Sequence, residues 1–466
     1  MNLEQSFLPY LAAFGWISVL LLLGTWLRAK VSFFRTYLVP SSLIAGLLGF
    51  VLVSLGWIGY PDSTNGWTPI SDQAFGLVAF HLFSFGFVAI GLVSGGGTED
   101  GDKKEILKGS LWMALLWTGT ACLQALGGWG IFLGYNAATG ADSYAPLGFL
   151  AAHGFAQGPG QALAISTVWQ DAFKIPGAVP VGLTFAAVGF FVAALAGVPL
   201  AYWGVKKGLA RHAPAALTPE FLSGLMPADS RESVGRHTTN PANIDTLAFH
   251  LAVMGLIYFL AYLICYALKY HLFPPAMAEL TFGFIFFWGL IAAVVVRVLM
   301  NKTGAGKYLD DGVQRRLTGA TVDYMIVAVM MAVKLSDVME LIVPISLTIL
   351  FGAAVTLFLV LYFGRRVKDF GFEKMTAMFG YLTGTGASAL LLLRIVDADF
   401  RTPVAVQVGL MNLFSIFLFT HPVFLVSVMP GPAFPGPGQM AVIYLVTGLF
   451  CLVMIKVLGF WNKKYF

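Results

Sequence analysis

The chain has 466 residues, of which 58% are hydrophobic and 11% charged, with a formal net charge of +5 at neutral pH. Soluble domains carry about 25% charged residues, so this composition excludes a soluble globular protein and marks an integral membrane protein. The basic excess is no nucleic-acid signal, because Lys and Arg sit in short loops between apolar runs, where they orient a chain in a bilayer.

The N-terminal stretch MNLEQSFLPY carries Glu4 and no basic residue ahead of the first apolar run, and the basic cluster follows that run. A cleaved signal peptide has the reverse order, so the first span is expected to stay in the mature protein. A spanning helix needs about 20 mostly apolar residues. Runs that meet this lie near 10–27, 38–57, 74–94, 109–134, 180–204, 246–268, 278–299, 320–335, 341–363, 402–428 and 440–460. The run at 320–335 is short and carries Asp323. Cys122, Cys265 and Cys451 each fall inside an apolar run without zinc or disulfide spacing, and read as packing residues.

Every odd-numbered span ends in a basic loop. Arg28, Lys30 and Arg35 follow the first, and Lys103, Lys104 and Lys108 the third. Lys206, Lys207, Arg211, Arg231 and Arg236 follow the fifth, and Lys302, Lys307, Arg315 and Arg316 the seventh. Arg365, Arg366, Lys368 and Lys374 follow the ninth, and Lys463 and Lys464 the last. The alternate loops hold only Lys174, Lys269 and Lys334, beside acids such as Asp62, Asp72, Asp142 and Asp171. Positive loops stay in the cytoplasm, which predicts an external N-terminus and a cytoplasmic C-terminus.

Two apolar stretches are broken in the middle. LGFLAAHGFAQGPGQALAIS, 147–166, is interrupted by Gly154, Gly158, Pro159 and Gly160. MTAMFGYLTGTGASALLLLRIV, 375–396, is interrupted by Gly384, Thr385 and Gly386. Broken backbone at membrane depth is tolerated only where protein covers it or water lines it. A pair of such segments at corresponding places in two halves points to the binding site of a secondary transporter. The polar segment 205–245 holds Pro214, Pro219, Pro227 and Pro241 and reads as a cytoplasmic linker. Five spans precede it, so the second half starts from the opposite face.

The expected architecture is therefore an all-α polytopic membrane protein of two inverted repeats, each of five transmembrane helices with a re-entrant hairpin. The first repeat covers 1–204 and the second 246–428, with the linker at 205–245 between them. The first hairpin enters from outside and the second from the cytoplasm. An additional transmembrane helix in 429–466 follows the Pro/Gly-rich turn MPGPAFPGPGQ and reads as a peripheral appendix to the symmetry.

The chain resembles the bacterial sodium/glutamate symporter family. SFFRTYLVPSSLIAGLLGF at 32–50 is similar to that family's entry to the second span, with Pro40 and Gly46 in place. FSFGF at 83–87 is similar to a Thr-Ile-Gly stretch, with Ser84 for Thr, and AVGFFVAALAGVP at 187–199 to a glycine-rich run ending in Pro. Arg316 to Val360, with MMAVKL at 330–335, also runs parallel. Where the family reads Ser-Gly-Gly-His-Gly-Thr, this chain matches only at His153 and Gly154; the family's Gly-x-Gly-Ala is Gly384 to Ala387 here. Arg394 stands where an Asn is usual. The resemblance covers most of the chain apart from the linker and the last span. It implies a scaffold domain, a moving transport domain, a homodimer and sodium coupling.

The candidate substrate-binding residues are His153, Gly154, Gln157, Gly158, Gly160, Gln161, Thr383, Gly384, Thr385, Gly386, Ser388 and Arg394. Backbone N–H groups at the breaks can hold a carboxylate and carbonyls can hold sodium, with Gln and hydroxyl side chains as uncharged ligands. The five glycines are expected to hold turns or close approaches that a side chain would obstruct. Arg394 reads either as a clamp on an anion or as a snorkelling Arg paired with Asp397 or Asp399. Ser84, Asp323 and Asn412 are the candidates for a sodium or coupling-ion site, with Gln124 a further polar lining residue. His81 and His250 read as structural.

These readings converge on a cation-coupled secondary transporter, a sodium symporter for glutamate or a related small anionic solute, with no organic cofactor. Its expected setting is the lipid of the inner cell membrane, and nucleic acid is no partner. The alternatives are a proton-coupled carrier working through Asp323 or His153, a carrier of another organic anion, a channel, or a membrane-embedded enzyme. No G-x-x-x-x-G-K-[ST] loop and no H-E-x-x-H occurs, which argues against direct ATP use and against a metalloenzyme.

Overall fold

A computed structural model describes residues 3–62, 66–93, 103–212, 219–227, 233, 235–273, 278, 281–333, 335–397, 401–432 and 435–466. Pro214 and Arg231 of the expected linker, Lys334 and Asp399 lie outside the described residues. The main helices are α1 Leu3–Lys30, α2 Ser41–Ser54, α3 Asp72–Leu92, α4 Lys103–Thr139, α5 Leu150–Phe155, α6 Pro159–Thr167, α7 Ala178–Lys206 and α8 Thr246–Ala267. They continue with α9 Ile285–Lys302, α10 Asp311–Met331, α11 Ile342–Gly364, α12 Gly371–Leu382, α13 Gly386–Val396, α14 Val404–Val428 and α15 Pro437–Val457. A small antiparallel hairpin, β1 Gly59–Asp62 and β2 Gly66–Pro69, follows α2.

Nine of the described helices are long and apolar enough to cross a membrane, which makes the chain a multi-pass membrane protein. Two expected spans differ. The run at 38–57 folds as α2, only 14 residues long, ended by Gly56 at φ 72° and the hairpin. The run at 320–335 is the apolar end of α10, a helix of 21 residues whose first half holds Asp311, Arg315 and Arg316. Apolarity could not reveal that charged half. Its start is set by Asp310, whose side chain accepts the Val313 N–H at 2.9 Å and caps the helix. Ser71 and Asp245 cap α3 and α8 in the same way.

The chain divides into two compact units, each drawn from both halves of the sequence. Unit 1 comprises 1–26, 44–97 and 224–332; unit 2 comprises 27–43, 98–223 and 333–466. Unit 1 packs α3 against α9 and α10. Its core joins Val88, Ala89 and Leu92 to Met254, Ile257, Ala292 and Ala293. Gly91 makes the α3–α9 crossing close, since a Cβ there would lie 2.7 Å from Ala293 Cβ. Small residues at crossings are how membrane helices gain packing energy without a hydrophobic drive between them.

Unit 2 is built on α4, a 37-residue helix whose middle, Trp112–Cys122, is buried throughout. It packs against α11, α14 and α15. The expectation that the last helix is a peripheral appendix is corrected here. Met440, Tyr444, Cys451 and Ile455 of α15 are fully buried. The reason is a seam of small residues: a Cβ at Gly448 would lie 3.2 Å from Cys122 Cβ, and one at Gly119 3.6 Å from Cys451 Cβ. Cys122 and Cys451 are free, buried packing residues, as their setting in apolar runs suggested.

One crossing in unit 2 leaves no room at all. A Cβ on Gly128 of α4 would overlap the backbone carbonyl of Gly148, in the turn that leads into α5. Gly128→Ala is expected to lower stability by about 1–3 kcal/mol through overpacking against backbone that cannot rotate away. Gly134→Ala, in the same helix with open space around it, should be neutral or stabilise by up to about 1 kcal/mol. Thermal unfolding of the two purified variants in one detergent checks this.

Candidate functional site

Both broken segments belong to unit 2. The first runs as α5, then a turn at 156–158, then α6. Pro159 has no N–H to lose at the first helical position, so it starts α6. The residue before a proline is pushed out of the helical region. Gly158 takes φ 81° and ψ −177°, a conformation that only glycine adopts without strain. The second segment runs as α12, a break at 383–385, then α13. Thr385 is extended, and its Oγ1 accepts the Ala387 N–H at 3.3 Å to cap α13.

The two breaks touch. A Cβ on Gly158 would lie 2.5 Å from Thr385 Cγ2 and 3.3 Å from the Gly384 carbonyl oxygen. α4 runs past both. Trp117 Nε1 donates to the Ala156 carbonyl at 3.1 Å, at the end of α5. Gln124 Nε2 donates to the Leu382 carbonyl at 3.2 Å, at the end of α12, and to Thr356 Oγ1 on α11 at 2.8 Å. On the far side α7 approaches, with a Cβ on Gly189 only 2.6 Å from the Thr383 carbonyl. Two helix N-termini, those of α6 and α13, and two helix C-termini, those of α5 and α12, thus converge on one place. The first pair carries partial positive charge and the second partial negative charge.

Among the described residues two buried amide oxygens beside this point, Gln124 Oε1 and Gln161 Oε1, have no hydrogen-bond partner. A buried acceptor left unpaired costs about 1–3 kcal/mol, so each calls for an explanation. Carbonyl and amide oxygens are the ligands that hard cations prefer.

The expected site residues distribute as follows. Gln157 and Gly158 form the first break, while His153 and Gly154 sit one turn earlier in α5 and Gly160 and Gln161 one turn later in α6. Gly154 is a close-approach glycine, since its Cβ would meet the Gly182 carbonyl of α7 at 2.7 Å. Thr383, Gly384 and Thr385 form the second break. Ser388 packs back on it, with Oγ 2.6 Å from a Cβ placed on Gly384. Unlike Gly154, Gly158 and Gly384, Gly386 has room for a side chain: its Cβ would meet only Tyr381 Cε2, at an ordinary 3.5 Å. Asn412 on α14 accepts from Tyr381 Oη at 2.6 Å and so braces the end of α12. Arg394 lies on the exposed face of α13, eight residues and so about 12 Å along the axis from Gly386. Asp397, its expected partner, is buried and accepts from the Arg401 and Thr402 N–H groups, both at 2.9 Å, and from Thr402 Oγ1 at 2.6 Å. Ser84 and Asp323 belong to unit 1, where Ser84 Oγ donates to the Phe80 carbonyl at 2.9 Å and Asp323 lies on an exposed face of α10. His250, expected to be structural, takes the Asp310 N–H on Nε2 at 2.8 Å and contacts the Thr246 carbonyl through Nδ1 at 2.7 Å.

Trp117, Thr356, Tyr381 and Tyr444 were not singled out by the sequence. Trp117 and Tyr444 are indistinguishable there from the many aromatics that face lipid. Tyr381 alone had a signal, its place two residues before the second break.

Nine helices among the described residues are long and apolar enough to cross a membrane, and two broken helices meet inside one unit. A family model described as sodium/glutamate symporter matches residues 8–402. The chain belongs to that family, which is one of transporters and not of enzymes. Searches among characterised proteins and among solved structures returned no match. The family match ends before α14, so α14 and α15 lie beyond it.

The two glycines Gly158 and Gly386 separate turn from helix. Gly158→Ala should abolish ligand-induced thermal stabilisation while the protein still inserts, because both φ and the Thr385 contact resist a side chain. Gly386→Ala should keep ligand binding and gain up to about 1 kcal/mol of helix propensity. A thermal-shift titration of each variant with sodium and glutamate measures both.

Proposed function

We propose that this protein is a sodium-coupled symporter of glutamate or a related small anionic solute, working by alternating access. The observation that carries the reading is the meeting of the two breaks beside buried, unpaired amide oxygens. The N-termini of α6 and α13 suit a carboxylate. The carbonyl ends of α5 and α12, with Gln124 Oε1 and Gln161 Oε1, suit a sodium ion. Each broken helix is read as a re-entrant hairpin of one inverted repeat. Unit 2, which holds both hairpins, is the transport domain and moves its cargo in an elevator-like step; unit 1 is the scaffold. The assembly is a homodimer in the inner cell membrane, with the N-terminus outside.

Sodium binding beside the anion neutralises part of its charge and completes the oxygens' coordination, so each ligand favours the other. Linkage makes this coupling reciprocal. In proteoliposomes, an inward sodium gradient should drive accumulation of labelled glutamate, and a proton gradient alone should not. Gln124→Leu should raise the sodium concentration for half-maximal uptake by about tenfold, since an ion–amide contact is worth roughly 1.5–3 kcal/mol. Uptake that follows the proton gradient instead would move the assignment to the proton-coupled alternative.

The orientation has its own test. Single cysteines at Asp62 and Lys302, in a background lacking Cys122, Cys265 and Cys451, should label from opposite sides of the membrane. Labelling of both by an impermeant external reagent would overturn the inverted arrangement.

A further inference from the structure

His153 is fully buried, and both ring nitrogens are engaged. Nδ1 lies 2.7 Å from Gln157 Oε1, and Nε2 lies 2.7 Å from Tyr444 Oη. Tyr444 comes from α15, beyond the family match, and is itself fully buried. Among the described residues its hydroxyl has one hydrogen-bond partner, His153. A buried phenol must place its hydrogen on an acceptor. That acceptor is His153 Nε2, which therefore carries no proton. The neutral ring then carries its proton on Nδ1 and donates to Gln157. A donor at this place selects the oxygen end of the Gln157 amide. The NH2 end is left to turn away from the imidazole. Gln157 sits in the first break, and it is the one residue in 151–160 that is not buried.

We propose that Tyr444 is a specificity-determining positioning residue. Through the tautomer of His153 it fixes the Gln157 amide with its N–H donors presented at the break, where they favour an anionic carboxylate over a cation or a neutral acceptor-poor solute. This rests on the symporter reading above for its substrate. It gives the last helix a task in recognition as well as in packing. It also assigns His153 to orienting a neighbour and leaves proton transfer out of its role.

Two measurements decide it. In wild-type protein labelled with 15N-histidine, the His153 resonance, identified by its loss in His153→Gln, should show a protonated Nδ1 and a bare Nε2. A protonated Nε2 overturns the proposal, and this arm needs neither substrate nor transport. In proteoliposomes, Tyr444→Phe keeps the ring and removes the hydroxyl. It should raise the KM for glutamate about fivefold, the scale of one hydrogen bond, and change the maximal rate less than twofold. In a Gln157→Ala background the same substitution should have no further effect on KM, because the route through Gln157 is already gone. An unchanged KM, or an equal rise with and without Gln157, overturns the proposal and returns Tyr444 to packing alone. A wild-type protein that ignores glutamate would count against the symporter reading while the 15N arm still decides the tautomer. The same arm decides if Tyr444→Phe fails to accumulate.

Discussion

The structure depends on one close approach, that of the Gly158 backbone to Gly384 and Thr385. Each partner is a chain that has stopped being a helix, and each therefore exposes main-chain groups that no helix turn pairs. In a membrane such groups must be met by protein or by cargo. Here α4 meets some of them. Trp117 takes the Ala156 carbonyl and Gln124 the Leu382 carbonyl, from two positions seven residues apart on one helix. Seven residues are nearly two turns, so both side chains leave the same face of α4. One helix is thus the ruler that sets the distance between the two breaks.

That role explains why α4 is so hemmed in. The Gly128–Gly148 crossing brings the entry to α5 against it, and the Gly119, Cys122, Gly448 and Cys451 seam brings α15 against it from another side. Small residues allow both approaches, and the close packing fixes the rotation of α4 about its axis. If that rotation drifted, Trp117 and Gln124 would lose their carbonyls together. Packing and site geometry are thus one constraint in unit 2, whereas unit 1 keeps its core among α3, α8 and α9.

Much of this was legible in the sequence because the membrane imposes length and polarity on every span. The broken stretches were visible because Gly158–Pro159 and Gly384–Thr385–Gly386 interrupt apolar runs that would otherwise be continuous. The position of the breaks was shifted by a residue or two: Gly154 proved to be a helix-crossing glycine and Gly386 an ordinary first-turn residue. A glycine at a turn and a glycine at a crossing look alike in one dimension, and only the neighbour that a Cβ would meet separates them. The short α2 was missed because hydropathy does not register where a helix is ended by a residue in the left-handed region. The ion-site candidates Ser84 and Asp323, chosen by polarity inside apolar runs, belong to unit 1, and polarity alone does not reveal which unit a helix joins.

The last helix shows most clearly what a linear reading misses. Position after a Pro/Gly-rich turn, outside the symmetry of the halves, suggests an addition that could be removed. Yet Tyr444 reaches across 291 residues of chain to the helix that ends at the first break. A helix appended to a symmetric fold has two ways to persist: as a cover for apolar surface that lipid would cover equally well, or as a supplier of something lipid lacks. Hydrocarbon cannot donate a hydrogen bond. Without Tyr444 the Nε2 of a fully buried His153 would lose the phenol that meets it at 2.7 Å, at a cost of about 1–3 kcal/mol. The phenol meets that need from α15, which the small-residue seam holds against α4. An added helix that satisfies a buried polar group next to a site becomes part of the site's geometry, and its loss would be felt first in the orientation of Gln157 and only afterwards in the packing around it.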